Sequence, residues 1–400
     1  MNLQKIKIFN GKLILPNRIL PNGTVIIEDG KILFAGEENI ETDANLKIDA
    51  RGNYISPGFI DIHIHGGGGH DFMDQDKKAF LEIAKMHAKH GTTAMSPTTL
   101  TADKESILKS LRIYEDARVE NNTGADFIGM HLEGPYLAMS QKGAQDPKYI
   151  RDPNPDEYRE IIDSSKSVIR WSAAPELRGA LEFGKYLHAK KILPSIAHTD
   201  AIYEEVEKAF DVGYTHITHL YSAMSGITRR NAFRYAGVIE SAFLIDDMTV
   251  EIIADGIHVP GPLLKLVYKI KGADKIALIT DAMRGAGMPP GPSILGGRQN
   301  GVPVIIEDDV AKLPDRSFFA GSVATCDRLV RNMVKLADLP LYEAVRMMTL
   351  TPAAIMGIEN EKGSLQKGKH ADLVIFDDEF NVECTIVRGN VIFSRPPIPA

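Results

Sequence analysis

Two histidines separated by one residue, His63 and His65, end an apolar run and are followed by four glycines, Gly66 to Gly69. Along a β-strand, residues i and i+2 point to the same face, so both imidazoles are expected to face one side. The glycines leave room for a ligand beside them. The pair predicts a metal site at the end of a strand, although a lone His-x-His pair also occurs in strands that bind no metal.

Other polar residues follow apolar runs where further strands are expected to end. A single aspartate there is more often a helix N-cap, and a single histidine more often makes a structural hydrogen bond. Six such residues on five predicted strands favour one shared metal site instead. They are the His63/His65 pair, Glu133, His198, His219 and Asp281.

This donor set predicts hydrolysis of an amide or a similar C–N bond. Imidazole and carboxylate suit a borderline divalent ion such as Zn²⁺ or Fe²⁺. Such an ion polarises a carbonyl and lowers the pKa of bound water, and Asp281 can carry the proton from that water to the leaving nitrogen. The fourth predicted strand ends without a lysine, so a carboxylated-lysine bridge is not expected. Glu133 is the candidate for contacting both ions if two bind.

Seven other histidines are predicted to lie outside the site, among them His70 after the glycine run and His370 in the β-rich C-terminal part. His87, His90 and His188 fall on helical stretches, where we expect them to be solvated. His131 and His216 lie further back on predicted strands, where structural hydrogen bonds are expected.

The elements that must position the six residues alternate between strands and helices. Eight apolar runs separated by amphipathic helical segments predict a (β/α)₈ barrel over residues 57–355 rather than an open sheet, with the chemistry at the C-terminal ends of the strands. The Gly- and Pro-rich segment 284–317 is expected to be an insertion after the eighth strand. The predicted strands are 59–64, 92–97, 126–132, 168–173, 193–198, 215–219, 249–254 and 276–280.

Both ends of the chain are rich in β-forming residues. Residues 1–56 and 356–400 each carry short alternating runs separated by turn signals such as Asp29-Gly30. We expect them to combine into one small β-sandwich domain beside the barrel.

The net charge and the cysteine content limit which binding partners and which cellular compartment are expected. A net charge of −7 over 400 residues disfavours nucleic acid and anionic membranes but leaves room for a small anionic substrate. The two cysteines, Cys326 and Cys384, form no disulfide framework, which indicates a reducing compartment, most simply the cytoplasm. We see neither an apolar stretch typical of a signal peptide nor a run of about 18 apolar residues that could span a membrane.

Several motifs together resemble the N-acetylglucosamine-6-phosphate deacetylase family of the amidohydrolase superfamily. Glu-Gly-Pro at 133–135 and Ala-Asp-Gly-Ile-His at 254–258 are the more specific ones, whereas 368–374 identifies only the superfamily. The resemblance extends over essentially the whole chain. Its other motifs are 57–61, the His63/His65 pair, 131–132, 143–145, 197–200, 218–221, 280–281 and 320–322.

This resemblance implies a role for each candidate site residue. Glu133, His198 and His219 match ligands of the metal that the family always holds, and His63 and His65 match ligands of a second metal that some members bind. Asp281 matches the catalytic acid/base. His258 matches a histidine that contacts substrate near the scissile amide and helps to stabilise its oxyanion. Other substrate-contacting positions are Ala144, Gln145, Ser222, Ala223, Phe319, Ala320, Gly321 and Ser322.

By the same resemblance, Arg230 matches the arginine that holds the sugar phosphate. A guanidinium suits phosphate because its fork bonds two oxygens. The alternative is a solvated surface charge, but Arg229 and Arg234 beside it in an acidic chain favour the phosphate role. The sequence departs from the family here. Ser222 stands where the family usually has Asn, and residues 229–233 replace His-Arg-Glu-Pro-Gly, which leaves the sugar open.

The resemblance therefore implies metal-dependent hydrolysis of the N-acetyl group of N-acetylglucosamine 6-phosphate, giving glucosamine 6-phosphate and acetate. It implies one or two divalent ions per chain, zinc before iron, and a homodimer. One alternative is an amidohydrolase that deacylates a related N-acyl sugar or opens a cyclic amide. Another is a non-catalytic relative used as a binding module, which the retention of all six candidate residues disfavours.

Overall fold

Eight parallel strands form a ring in the computed structural model, which describes residues 5–37 and 40–395. The ring is completed beyond the strand ends, where the amide of Asp281 donates to the carbonyl of His63 at 3.0 Å. The predicted (β/α)₈ barrel is confirmed. Its strands are Phe59–Ile64, Thr92–Thr99, Met130–Glu133, Val168–Ala173, Leu193–Ile196, His216–Ile217, Thr249–Ile252 and Ile276–Leu278, with Asp126–Phe127 as a short extra partner of Thr92–Thr99.

Helices connect these strands and cover the ring. The first two begin at aspartates, as Asp76 and Asp103 accept hydrogen bonds from the backbone amides of Lys78 and Ser106. Their inner faces pack on the outer faces of the strands in one large apolar core. The helices are Lys77–Ala88, Lys104–Glu120, Pro155–Ser164, Ala180–Ala189, Tyr203–Asp211, Val238–Leu244, Gly261–Lys271, Cys326–Ala337, Leu341–Met347 and Leu350–Ile355.

The two ends of the chain meet in a second sheet. Tyr54–Pro57 pairs antiparallel with Leu373–Phe376 and so joins the N-terminal strands to the C-terminal ones. A separate apolar cluster that includes Ile6, Val25 and Ile386 fills this unit. The predicted domain limits at residues 56 and 356 stay a prediction. The other strands of this sheet are Lys5–Leu15, Arg18–Glu28, Lys31–Gly36, Leu46–Asp49, Val382–Val387 and Asn390–Ser394.

The segment after the eighth strand folds into an antiparallel sheet of four strands, which we call the insertion sheet. Its strands are Gly291–Leu295, Val302–Glu307, Val310–Lys312 and Phe319–Ser322. Arg284, nearly buried, fixes it to the barrel through Asp74, with the two guanidinium nitrogens 2.9 and 2.7 Å from the carboxylate oxygens. The sheet returns beside Asp281, whose carbonyl accepts the amide of Ser322 at 2.8 Å.

The structure bears on two expectations, one about the cysteines and one about membrane-spanning segments. Cys326 and Cys384 are both buried and unpaired with each other. Within residues 5–37 and 40–395, no helix is long and apolar enough to cross a membrane.

Candidate active site

All six strand-end residues converge at one end of the barrel. They are buried there, and five of them line the floor of a cavity of about 590 Å³, with His63 just beneath. The strands bring them together because the C-terminal ends of parallel strands meet on one face of the ring. Their roles as ligands and catalytic acid stay predictions.

One group of donors centres on Glu133. Its Oε1 lies 2.9 Å from Nε2 of His219 and 3.3 Å from Nε2 of His198. Nδ1 of His198 faces the carbonyl of Gln141 at 2.8 Å and donates to it, so Nε2 is the ring nitrogen that faces Glu133. Gln145 donates to the other oxygen of Glu133 at 2.7 Å and so fixes the carboxylate plane.

A second group centres on the histidine pair. Nε2 of His63 lies 3.3 Å from Nε2 of His65. The His65 nitrogen also lies 3.4 Å from Oε2 of Glu133 and 3.2 Å from Oδ1 of Asp281. The opposite nitrogens have their own partners: Nδ1 of His63 faces Glu251 at 3.1 Å, and Nδ1 of His65 faces the carbonyl of Thr98 at 3.3 Å. Glu133 therefore belongs to both groups.

These distances suit metal ions. Donors on a tetrahedral ion with bonds of about 2.0–2.1 Å lie about 3.4 Å apart. Two ring nitrogens that face each other and two carboxylates, as His63 and His65 do, need a cation or protons between them. Nδ1 of His219 is buried and has no hydrogen-bond partner among the residues that the structure describes, so the ring is held from the Nε2 side, where Glu133 lies. The residues present fit one or two divalent ions.

Three of the six residues have left-handed backbones. The φ angles are 45° at His198, 31° at His219 and 45° at Asp281. Non-glycine residues rarely adopt this region, and such conformations cluster at functional sites where the surroundings impose them. Here the backbone turns each side chain inward directly after its strand. Hydrogen bonds hold the turns, such as the one that the His198 carbonyl accepts from the amide of Ala138 at 2.9 Å.

The two carboxylates are held ionised. Burial raises the pKa of Glu133, but hydrogen bonds from His198 and His219 outweigh it and keep that pKa well below its usual range. Burial likewise raises the pKa of Asp281, and the neighbouring charge of His63 and the hydrogen bond from His65 reverse the shift and lower it. Ionised carboxylates on the cavity floor attract a cation.

Two of the histidines respond in the opposite direction. Burial lowers the pKa of His65, but Asp281 and Glu133 more than compensate and raise it well above the ordinary value. Burial also lowers the pKa of His219, and Glu133 reverses that shift and raises it. In the metal-free protein these imidazoles therefore hold protons that a metal ion must displace.

The walls of the cavity include most of the predicted substrate positions. Ala320 and Ser322 lie behind them, and the hydroxyl of Ser322 donates to the carbonyl of Thr280. The predicted positions that line the cavity are Ala144, Gln145, Ser222, Ala223, His258, Phe319 and Gly321.

Arg230 is not among the lining residues. It is exposed on a hairpin formed by Thr228–Arg230 and Phe233–Tyr235, with its guanidinium 5.4 Å from the ring centre of Tyr235. The basic residues that line the cavity are Lys312 and Arg316 of the insertion sheet and its last loop. Sequence reasoning missed them because the insertion gave no clue to which of its side chains face the barrel.

His258 is held from behind by Asp255. Nδ1 of His258 lies 2.7 Å from Oδ2 of Asp255, and the ring packs against Phe319 with 4.6 Å between centres. The sequence contained this signal, because Asp255 belongs to the Ala-Asp-Gly-Ile-His motif, but its role was not predicted.

One histidine prediction is wrong. His87 is buried rather than solvated, and its Nε2 donates to the carbonyl of Gly66 at 3.0 Å. Burial lowers its pKa to about 4. The predicted structural roles are confirmed for His131, which bonds Ser172 at 2.7 Å, and for His216, which bonds Thr249 at 2.7 Å.

Comparison with known proteins identifies the family. A model of the amidohydrolase family matches residues 54–392. The chain belongs to this family. Amidohydrolases are metal-dependent, in keeping with the two His/Glu groups on the cavity floor.

Characterised relatives narrow the resemblance. The N-acetylglucosamine-6-phosphate deacetylase of Bacillus subtilis is 33% identical over 95% of both chains. The N-acetylgalactosamine-6-phosphate deacetylase of Escherichia coli O157:H7 is 32% identical over 84% of this chain and 87% of its own. A mutant deacetylase from Mycobacterium smegmatis, solved with N-acetyl-D-glucosamine-6-phosphate, is 28% identical with a TM-score of 0.89, covering 98% of this chain and 100% of its own. The resemblance to the deacetylases is confirmed.

Proposed function

We propose that this protein is a metal-dependent deacetylase that converts N-acetylglucosamine 6-phosphate into glucosamine 6-phosphate and acetate. The observation that carries the proposal is the convergence of six buried histidines and carboxylates on one cavity. The chain's likeness to deacetylases over 95% of its length supports the substrate class.

Two groups of residues would hold the metal. Glu133, His198 and His219 would bind a first ion, and His63 and His65 a second one that shares Glu133. Nitrogen and oxygen donors at these spacings favour zinc, with iron as the alternative. A bound ion would polarise the acetyl carbonyl and make the attacking water more acidic.

Asp281 would carry the proton. Because its pKa is lowered, its carboxylate is ionised and can accept a proton from the attacking water. As the water oxygen bonds to the acetyl carbon, the C–N bond breaks and Asp281 passes the proton to the departing nitrogen. The products are acetate and a free amine.

His258 would orient the acetyl group. Its Nδ1 is engaged by Asp255, and the ring lines the same cavity as the donors. Phe319, packed on that imidazole, offers an apolar surface to the sugar ring. Ser222, Ala223 and the segment 319–322 would complete the sugar contacts.

Phosphate recognition has two candidate sources in this chain. Arg230 matches the family's phosphate-binding arginine by the sequence resemblance, and its hairpin exposes Phe233 (71%), with Ile227 (65%) exposed just before it. Exposed apolar residues beside arginines suit a homodimer interface, which would bring one protomer's hairpin to the other's cavity. Lys312 and Arg316 already line the cavity, although both are paired with carboxylates of the insertion sheet, at 2.7 Å for Lys312 and Asp308.

The proposal has two further parts, which concern a second candidate substrate and the cellular location. The galactosamine relative makes the C4 epimer of the sugar a second candidate substrate. We also propose a cytoplasmic location, because Cys326 and Cys384 are buried and form no disulfide.

Acetate release tests the proposal. Zinc-loaded protein is offered N-acetylglucosamine 6-phosphate, its galactosamine epimer and unphosphorylated N-acetylglucosamine, with Asp281→Asn as the inactive control. We expect the highest kcat/KM with the first. A preference for the epimer would identify the second substrate. No acetate from any of the three, with metal content verified, would refute the proposal.

A further inference from the structure

An ion pair is buried inside the barrel beneath the donors. Arg170 on Val168–Ala173 and Glu251 on Thr249–Ile252 are both completely inaccessible to solvent, and Nη1 of Arg170 bonds Oε1 of Glu251. Branched apolar side chains usually fill this layer of such a barrel. A buried ion pair is rarely more stabilising than well-packed apolar residues of the same volume, so stability alone does not explain this one.

Both carboxylate oxygens of Glu251 accept hydrogen bonds. Its Oε2 lies 3.1 Å from Nδ1 of His63 and accepts the backbone amide of His219 at 3.3 Å. Its Oε1 faces Nε2 of His216 at 3.4 Å besides Arg170. The carboxylate therefore touches the second donor group through a side chain and the first group only through a backbone N–H.

Arg170 is also fixed in place. Its Nε donates to Ser195 at 2.9 Å, its Nη2 to Thr218 at 2.8 Å and its Nη1 also to the carbonyl of Ile62 at 3.3 Å. A guanidinium has donors only, so whatever atom at position 251 faces Arg170 must be an acceptor.

The carboxylate selects one form of His63. Because both oxygens of Glu251 accept, the neutral ring of His63 carries its proton on Nδ1 and its lone pair on Nε2. Nε2 is the atom that faces His65, Glu133 and Asp281. We propose that Glu251, locked by Arg170, is a positioning residue that holds His63 in its metal-binding tautomer and so determines whether the second metal ion binds. This inference rests on the metal role proposed above for His63 and His65.

Replacing the carboxylate by an amide isolates this effect. In Glu251→Gln, Arg170 takes the only carbonyl oxygen, and the NH₂ group then faces His63. That group favours the tautomer with the proton on Nε2, which cannot bind a metal. In the double variant Arg170→Met/Glu251→Gln the amide is free to turn, and its oxygen can again accept from His63.

Metal counting on the purified full-length protein tests the proposal. Metal-free protein is reloaded with excess Zn²⁺, and in parallel with Co²⁺, then freed of unbound ions; metal per chain and the visible Co²⁺ spectrum are recorded. Wild type is expected to hold two ions, one for each donor group. In Glu251→Gln the second-site affinity is expected to fall about 10- to 100-fold, and the double variant is expected to recover.

A matched control shows that the effect is local. Asp372→Asn alters another buried carboxylate, which bonds Lys362 at 2.7 Å just before strand Leu373–Phe376, and this variant is expected to hold two ions. Near-UV circular dichroism verifies that each variant is folded.

Several outcomes would overturn the inference. They are a wild type with one ion, a Glu251→Gln protein with two, or a double variant with fewer ions than the single one. A merely structural role predicts the last result, since the double variant loses more contacts. These counts do not depend on acetate release, so a wild type that binds two ions and deacetylates no sugar would refute the proposed function and leave this inference standing.

Discussion

The carboxylate of Asp255 fixes His258 by three hydrogen bonds, one with its imidazole and two with backbone amides. Oδ2 lies 2.7 Å from Nδ1 of His258, and Oδ1 accepts the backbone amides of Ile257 and His258, each at 2.8 Å. The side chain and the backbone that carries it are thus fixed by one group. The imidazole can present only its other edge to the cavity.

Asp255→Asn is predicted to impair catalysis without removing metal. An amide can satisfy the backbone amides but then turns its NH₂ toward His258, which favours the wrong tautomer. Steady-state kinetics should show kcat lowered about 10- to 100-fold, with a smaller change in KM. Metal content should equal that of wild type, and a loss of metal would contradict this account of Asp255.

The two donor groups are predicted to differ in importance. His198→Ala removes a ligand of the first ion and is expected to abolish acetate release. His63→Ala is expected to lower metal content toward one ion per chain and to spare part of the activity, because Glu133, His198 and His219 still form a complete group. Metal analysis and kinetics on the same samples decide the matter. Equal loss of activity in both variants would show that the chemistry needs both ions.

His87 is predicted to make stability depend on pH. Its folded pKa is about 4 against an ordinary 6.5, so the unfolded chain binds the proton more tightly. Neutral His87 therefore stabilises the folded state fully above pH 6.5, and this stabilisation, up to about 3 kcal/mol, is lost as pH falls toward 4.

Urea unfolding of metal-free protein measures this dependence. His87→Gln keeps a donor for the carbonyl of Gly66 but does not titrate, so its free energy of unfolding should fall less than that of wild type between about pH 7 and pH 5. His188→Gln, on an exposed helix position, should behave as wild type. Parallel curves for wild type and His87→Gln would disprove the assignment.

Alanine variants of Arg230 and Lys312 are predicted to differ in their KM for the phosphorylated substrate. If Arg230 holds the phosphate, Arg230→Ala should raise KM for the phosphorylated sugar about 10- to 100-fold, since a charged hydrogen bond is lost. Its KM for the unphosphorylated sugar should not change. Lys312→Ala is the comparison, and a larger KM effect there would transfer the phosphate role to the insertion sheet.

The positions of the donors could be predicted from the sequence because two signals mark each strand end. One is the apolar run that forms the strand, and the other is the histidine or carboxylate at its end. Apolar runs predicted the barrel strands, and His63, His65, Glu133 and Asp281 follow directly after such runs. The fold then brings those ends together for any sequence that closes the ring. Periodicity and residue type were enough.

What lies beneath and around the donors could not be predicted in this way. Arg170 and Glu251 sit within apolar strands 81 residues apart, and only the closed ring makes them partners. His87 looks solvated on its helix because its burial depends on the carbonyl of Gly66, which it bonds, and on Gly67, whose lack of a side chain lets the ring approach. Lys312 faces the cavity only because the insertion sheet turns back over the barrel.

The insertion sheet returns to the barrel beside Asp281. The residues proposed to contact the substrate and the residue proposed to transfer the proton are thereby carried by neighbouring parts of one chain segment. Phe319 and Gly321 line the cavity a few residues before helix Cys326–Ala337, while the strands from Gly291 to Lys312 add Leu295 and Lys312 to its walls and carry none of the six donors. Arg284 anchors this sheet independently of the donors. Substitutions in the hairpins can therefore alter which acylated sugars enter the cavity while the six donors keep their positions. Diversification within this lineage is expected to concentrate there.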